Sequence, residues 1–397
     1  MCDYNYEHFS FPVDRLFTCD EPPITNSNFC IFHDKDHYTD HRQKATKRFE
    51  EKLKESISKD KPLECSGYYL PYINFPKLLQ EKSFVQAVYF NESTFYERTN
   101  FNNVLFLKGA NFTGTLFKEE VKFIGAEFKQ DVTFRGAKFS KGALFIGTNL
   151  KWANFSDATF YEEAEFDIAE FYEQAWFTGA AFRAGAAFKN NKFVGDTYFR
   201  GTSFEEPNKI VFDNNNLSNV IFADSDITRI TFSDNIRWGG EDEFTVIEEE
   251  WIERKVQPKN DFFGLLESQI QDASLELVLP VYRNLRENYE FKLRYDDAGK
   301  FFIKEMELKR NYRYISSKLD LGGGSQTTGG SGSSDTSSST PSDSGSSTFS
   351  SSGSSRCPNG YHRSPSGDCE IVTDTRGMPR CPNGYHRSPD GDCEYVG

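Results

Sequence analysis

From Phe90 to Phe204 a large apolar residue, nearly always phenylalanine, returns every five or six positions, a spacing that neither a regular helix nor a flat strand can use. A helix with one buried face needs apolar returns at three and four residues, and a half-buried strand needs them at two. The series runs Phe90, Phe95, Phe101, Phe106, Phe112, Phe117 and onward, with gaps alternating five and six, so the repeating unit is eleven residues. A five-residue step requires a corner. If each unit is a short extended face followed by a turn, the ring and the small or β-branched residue two places before it point the same way, because alternate side chains of a strand share a face. A fixed short period of this kind marks a stacked repeat architecture.

Taking the series in fours gives four columns. The first reads Phe90, Phe112, Phe134, Phe155, Phe177, Phe199 and Phe222, and the second Phe95, Phe117, Phe139, Phe160, Phe182, Phe204 and Ile227. The third is Phe101, Phe123, Phe145, Phe166, Phe188, Phe212 and Phe232, and the fourth Phe106, Phe128, Leu150, Phe171, Phe193 and Leu217. The expectation is a mainly β, four-sided β-helix of about seven coils, on the order of 35 Å long at ~4.8 Å per rung. The insert 205–209 should bulge from one corner.

Ala153-Asn154-Phe155-Ser156-Asp157 followed by Ala158-Thr159-Phe160-Tyr161-Glu162 resembles the pentapeptide-repeat family, whose units read roughly A-(D/N)-(L/F)-x-x. The resemblance covers about two-fifths of the chain and implies a right-handed quadrilateral β-helix. Departures are the extra residue at alternate corners and the insert.

Around this core the composition shifts four times. Residues 1–83 read as an N-terminal cap, 84–238 as the β-helix, 239–320 as a helical hairpin, 321–355 as a Gly/Ser-rich linker and 356–397 as a cysteine-containing tail. Within the cap, Phe49, Leu53 and Ile57 lie four apart and predict one amphipathic helix over 42–58, with 67–85 starting the coil. Repeat arrays need their ends covered, since a bare end exposes apolar rungs and unpaired backbone.

Cys2, Cys19 and Cys30, with His33 in Cys30-Ile31-Phe32-His33, offer three thiolates and an imidazole, a donor set that suits tetrahedral Zn2+. Free buried thiols in a reducing compartment are the alternative. His37 and His41 are reserve ligands, and Cys65 has no evident partner in the sequence. The segment is also similar to a small module, ending in a Cys-Ile-Phe-His-like motif, that precedes the repeats in some pentapeptide-repeat proteins.

In the hairpin region Pro280 is expected to divide the helical stretch. Tyr282, Leu285 and Tyr289 share the face of one helix, Phe302, Met306 and Lys309 that of the next, and 296–299 form the junction. This segment resembles one that follows the repeats in membrane-linked, channel-type pentapeptide-repeat proteins; the transmembrane region found there is absent from this sequence. A membrane-associated partner therefore stays among the expectations, alongside the simpler role of capping the rod.

The linker composition cannot repay the entropy of ordering, so it reads as a flexible tether. Beyond it, Cys357-Pro358-Asn359-Gly360-Tyr361-His362-Arg363-Ser364-Pro365-Ser366-Gly367-Asp368-Cys369-Glu370 is repeated over 381–394 with one change, Asp390 in place of Ser366. Its turn formers should fold each copy back on itself. Either disulfides between Cys357 and Cys369 and between Cys381 and Cys393, or metal held by these cysteines with His362 and His386, would staple such loops. The tail also looks similar to short cysteine tails on archaeal proteins, which implies an interaction or attachment tag.

The sequence lacks the phosphate-binding, dinucleotide-binding, nucleophile-elbow and zinc-protease motifs, so an enzyme is not expected. The carboxylates Glu162, Glu163, Glu165, Asp167, Glu170 and Glu173 are expected to cluster as an acidic stripe on two adjacent coils, which reads as a solvated face or as a binding surface. The resemblance adds a further reading, since some pentapeptide-repeat proteins mimic duplex DNA and inhibit topoisomerases. Against it, 84–237 holds 20 acidic and 16 basic residues, a mild imbalance, although the whole chain carries a formal charge of −14. That charge argues against direct nucleic-acid binding. With no hydrophobic run of membrane-spanning length, the expectation is a cytoplasmic, non-enzymatic scaffold for a protein partner.

Overall fold

The computed structural model describes residues 2–8, 15–36, 41–241, 243–249, 274–322, 361–363, 369–371, 385–387 and 393–395. It forms two compact units, Met1–Ser325 and Gln326–Gly397.

The first unit is built on a parallel β-solenoid of about eight turns. Two-residue strands pair only with their counterparts one coil before and after, as in Leu116–Phe117 with Thr94–Phe95 below and Lys138–Phe139 above. Four ladders result, and the rings stack within each. In the first, Phe90, Phe112, Phe134, Phe155, Phe177, Phe199 and Phe222 follow one another with centroids 4.6–5.5 Å apart. Rings of adjacent ladders meet edge to face, as Phe134 meets Phe145 at 84°, the arrangement that aromatic quadrupoles favour. The residues two before the first-ladder rings (Val88, Ala110, Val132, Ala153, Ala175) are buried beside them.

The alternating gap has a local cause. After the first and third ladders the corner is a tight turn: the Phe134 carbonyl accepts from the Ala137 N–H at 2.9 Å, with Gly136 between them at φ 63. Positive φ at the third position is the type II geometry that glycine supplies freely. Ile168 occupies the same position at φ 59, where a β-branched side chain is strained. The other two corners take the extra residue. The insert forms a 3-10 turn over Pro207–Lys209.

The ladders start one coil earlier than the phenylalanine spacing shows. Leu63–Glu64 pairs Val88–Tyr89, which sets Cys65 below Phe90; Leu70 lies below Phe95, and Phe75 stacks on Phe101 at 4.3 Å. The coil expected to start within 67–85 in fact begins at Leu63: Cys65, Leu70 and Phe75 keep the five-residue step with only one ring among them, and the fourth inward residue, Phe84, follows nine residues later.

Both ends are covered. Helix α1 (Arg42–Ser58) buries Ala45, Phe49 and Leu53, and Phe49 meets Phe75 edge to face at 6.0 Å. At the other end α2 (Leu275–Phe291) and α3 (Tyr295–Gly322) form an antiparallel pair. Pro280 lies inside α2 rather than dividing it. One missing N–H near a helix start removes a single ladder bond, and the buried face Leu277, Val278, Val281, Tyr282 and Leu285 runs across it. The junction is the turn at 292–294, with Leu293 at φ 60, and 296–299 already belong to α3. The buried face of α3 is Ala298, Phe301, Glu305 and Leu308, displaced by one residue from the expected Phe302, Met306 and Lys309. Among the described residues no helix is long and apolar enough to cross a membrane.

In the second unit Tyr361–Arg363 pairs antiparallel with Cys369–Ile371, and Tyr385–Arg387 with Cys393–Tyr395. Each copy of the tandem motif folds back as a hairpin. The first two residues of the expected linker, 321–322, end α3; the rest of it, Cys357 and Cys381 lie outside the described residues, and with them the pairing of the tail cysteines.

Candidate metal centre and the outer surface

Three short segments and the first coil converge on one point. The Cys2 N–H donates to the Glu21 carbonyl (3.3 Å) and the Cys19 N–H to the Tyr4 carbonyl (3.3 Å), while a bridge between Pro23 and Cys30 turns the chain back. The Cys30 carbonyl then accepts the N–H groups of His33 and Asp34, both at 3.0 Å, a turn that swings His33 toward the thiol of Cys30. Helix α1 clamps the arrangement from outside: Arg48 and Lys52 hold the buried Glu21 carboxylate at 2.8 and 3.3 Å. The charge and hydrogen bonds of Glu21 raise Arg48 above the usual guanidinium range.

The four donor atoms of Cys2, Cys19, Cys30 and His33 lie within 4.8 Å of one another and all four residues are buried. Cys19 and Cys30 sulfurs are 3.7 Å apart, and the His33 Nδ1 stands 3.2 Å from Cys30 Sγ and 3.4 Å from Cys2 Sγ. Ligands of a tetrahedral zinc, at ~2.3 Å for sulfur and ~2.0 Å for nitrogen, lie about 3.5–3.8 Å from one another. The spacing therefore fits the ion. Two further contacts orient the donors. His33 Nε2 lies 2.9 Å from the Ser66 carbonyl, which as acceptor leaves Nδ1 with its lone pair toward the sulfurs, and the Cys30 N–H donates to Cys2 Sγ at 3.2 Å. Outer contacts of this kind accompany metal-binding imidazoles and thiolates. The His33 ring is stacked on Tyr4 at 3.8 Å and meets Tyr68 edge-on at 5.0 Å.

The hydrogen bond between the Cys30 and Cys19 thiols lowers Cys19 below the ordinary thiol range, and the same contact together with burial raises Cys30. Cys65 is not one of the four; desolvation in the first ladder raises its thiol. His41 is the exposed residue before α1, and His37 lies outside the described residues.

The six carboxylates do not form one stripe. Glu165 belongs to the strand Ala164–Glu165 and Glu170 to Glu170–Phe171, in different sheets, so the group spans half of a single coil across two faces. Neighbouring coils supply cations: Lys141 to Glu162, Lys189 to Asp167, Lys192 to Glu170 and Lys151 to Glu173. The absence of basic residues between Trp152 and Phe182 in the sequence concealed this, because partners on a solenoid lie a full coil apart.

The pentapeptide-repeat family model, nine copies long, matches the chain in three overlapping stretches, 107–149, 123–169 and 145–190. Residues 107–190 of the solenoid accordingly match pentapeptide repeats, and a helical pair follows the solenoid. No curated protein matches the chain, and no solved structure does.

Proposed function

We propose that this chain is a non-enzymatic scaffold: a stiff pentapeptide-repeat rod, stapled at its N-terminal end by one structural Zn2+, that works by binding a protein partner in the cytoplasm. The observation that carries the reading is the unbroken filling of the interior by stacked rings. A core packed in this way leaves the outer faces and the appended segments as the surfaces on which the molecule can act. The hollows beside the caps are open to solvent; the one lined by Asp224, Asp226, Pro280, Asn284 and Glu287 has a volume of about 400 Å³.

Zn2+ would be held by Cys2, Cys19, Cys30 and His33. Four protein donors leave no open coordination position, so the ion would contribute folding energy rather than reaction chemistry. Reduced thiols suit a reducing compartment. The tail, on its Gly/Ser-rich tether, and the helical pair are the segments that would engage the partner, which includes the case of a membrane-associated one.

Metal analysis of purified protein should find one equivalent of zinc, lost in Cys30→Ser. A metal content below about a tenth of an equivalent after expression with zinc rules out the staple. For the scaffold, the full chain and a chain ending at residue 321 are compared in capture followed by reconstitution from purified components. A saturable complex that weakens on truncation supports it. Turnover of a substrate by the rod, abolished by Glu163→Gln or Glu165→Gln, overturns it.

A further inference from the structure

In the first ladder the N–H of each inward phenylalanine donates to a carbonyl of the next coil: Phe90 to Asn111, Phe112 to Thr133, Phe134 to Asn154, Phe155 to Trp176, Phe177 to Tyr198 and Phe199 to Ile221, at 2.6–2.8 Å. Phe222 ends the series. Its N–H donates at 2.8 Å to Oε1 of Glu248, which also accepts the Ala223 N–H at 3.1 Å. A side-chain oxygen thus stands where the carbonyl of another coil would be. Glu248 is fully buried, and its second oxygen has no hydrogen-bond partner among the described residues.

We propose that Glu248 is a proton-operated latch on the C-terminal end of the rod, closed when its carboxyl is neutral and loosened when it ionises. A neutral carboxyl reproduces the missing carbonyl at Oε1 and carries no charge into the core. An ionised one leaves a charge in an apolar site with one oxygen unsolvated, a costly state. The charged and titratable groups around it offer no relief. From the coil, Asp224 is turned to Arg200; in the same turn Glu249 is bound by the Tyr282 hydroxyl, and from α2 Tyr282 itself faces the pair. No lysine or arginine reaches Glu248 among the described residues. Burial accordingly lifts its carboxyl to about 7, against the pull of the backbone N–H groups.

The sign follows from linkage. A carboxyl whose folded value is raised binds more protons in the closed state, so the latch is strongest below the ordinary carboxylate range and weakens as pH rises to about 7. Above that it weakens no further. Hydrogen exchange at Phe222 and Ala223, corrected for chemical exchange, should show protection at pH 5 greater than at pH 8 by up to about a hundredfold. In Glu248→Gln, which keeps the accepting oxygen and cannot ionise, protection should be high and equal at both pH values. Equal protection in the unaltered chain overturns the proposal, as does a pH dependence that survives in the glutamine variant. If that variant does not fold, carbon NMR titration of the Glu248 carboxyl in the full chain decides: a midpoint in the ordinary carboxylate range refutes the latch, and one near 7 supports it.

Discussion

The two ends of the rod meet one requirement by different chemistry. At the N-terminal end, short irregular segments with little apolar surface are gathered by four convergent donors, and α1 clamps them through Glu21. At the C-terminal end an aromatic cluster carries the cap. Trp238 packs on Phe222 and Phe232 and its indole N–H donates to the Tyr289 hydroxyl, Tyr289 stacks on Phe232, and Phe301 closes the far side. Amide side chains then satisfy the last carbonyls, with Asn288 donating to Ile227 and Ile230 and Asn284 to Ser225. A cap too small to bury a core of its own needs a staple; a helical pair with a buried face does not.

The comparison can be broken most directly at the candidate metal site. Cys30→Ser should cost on the order of 5 kcal/mol, part of the ~10–16 kcal/mol that structural zinc gives small zinc-binding peptides. Calorimetry with and without a chelator checks this: the unaltered chain should lose stability on chelation and the variant should not. Trp238→Ala attacks the opposite end, with an expected loss of ~3–5 kcal/mol for an aromatic core truncation and no change in zinc content. Equal sensitivity of Trp238→Ala to chelation would show that the ends are not independent.

A finer probe is Asn288→Ala, which strands two buried carbonyls and should cost ~1–3 kcal/mol in urea unfolding. Smallest is Ile168→Gly, between the two caps. Relief of a left-handed β-branched residue is worth ~1 kcal/mol, so the variant should be slightly more stable, with neither zinc content nor exchange at Phe222 altered.

What could be read in advance tracks how local each feature is. The four ladders were legible because every rung repeats the same small cycle of an inward small residue, an inward ring and a corner. The first coil was legible only from residue 67 onward; its opening strand was not, since Cys65 and Leu70 occupy ring positions and only the register with Phe90 and Phe95 places them. The face of α3 was misplaced because an apolar count rejects Glu305, yet Arg283, Arg286 and Lys309 neutralise that carboxylate at 2.9, 3.2 and 2.7 Å and allow it inside. The donor residues of the candidate metal centre were visible by type, whereas their distances and the Ser66 acceptor behind His33 were not. Glu248 reads in sequence as one of three consecutive glutamates with nothing to distinguish it.

The sequence by itself determined the solenoid, because a period of five and six with rings at each return admits one regular way of burying those rings. Tertiary structure alone decided which polar groups matter: which thiols meet, which carboxylates are paired a coil away, and which one enters the core. Those outcomes depend on segments brought together across tens of residues, where burial and a partner's distance, not residue type, set the energy of a polar group.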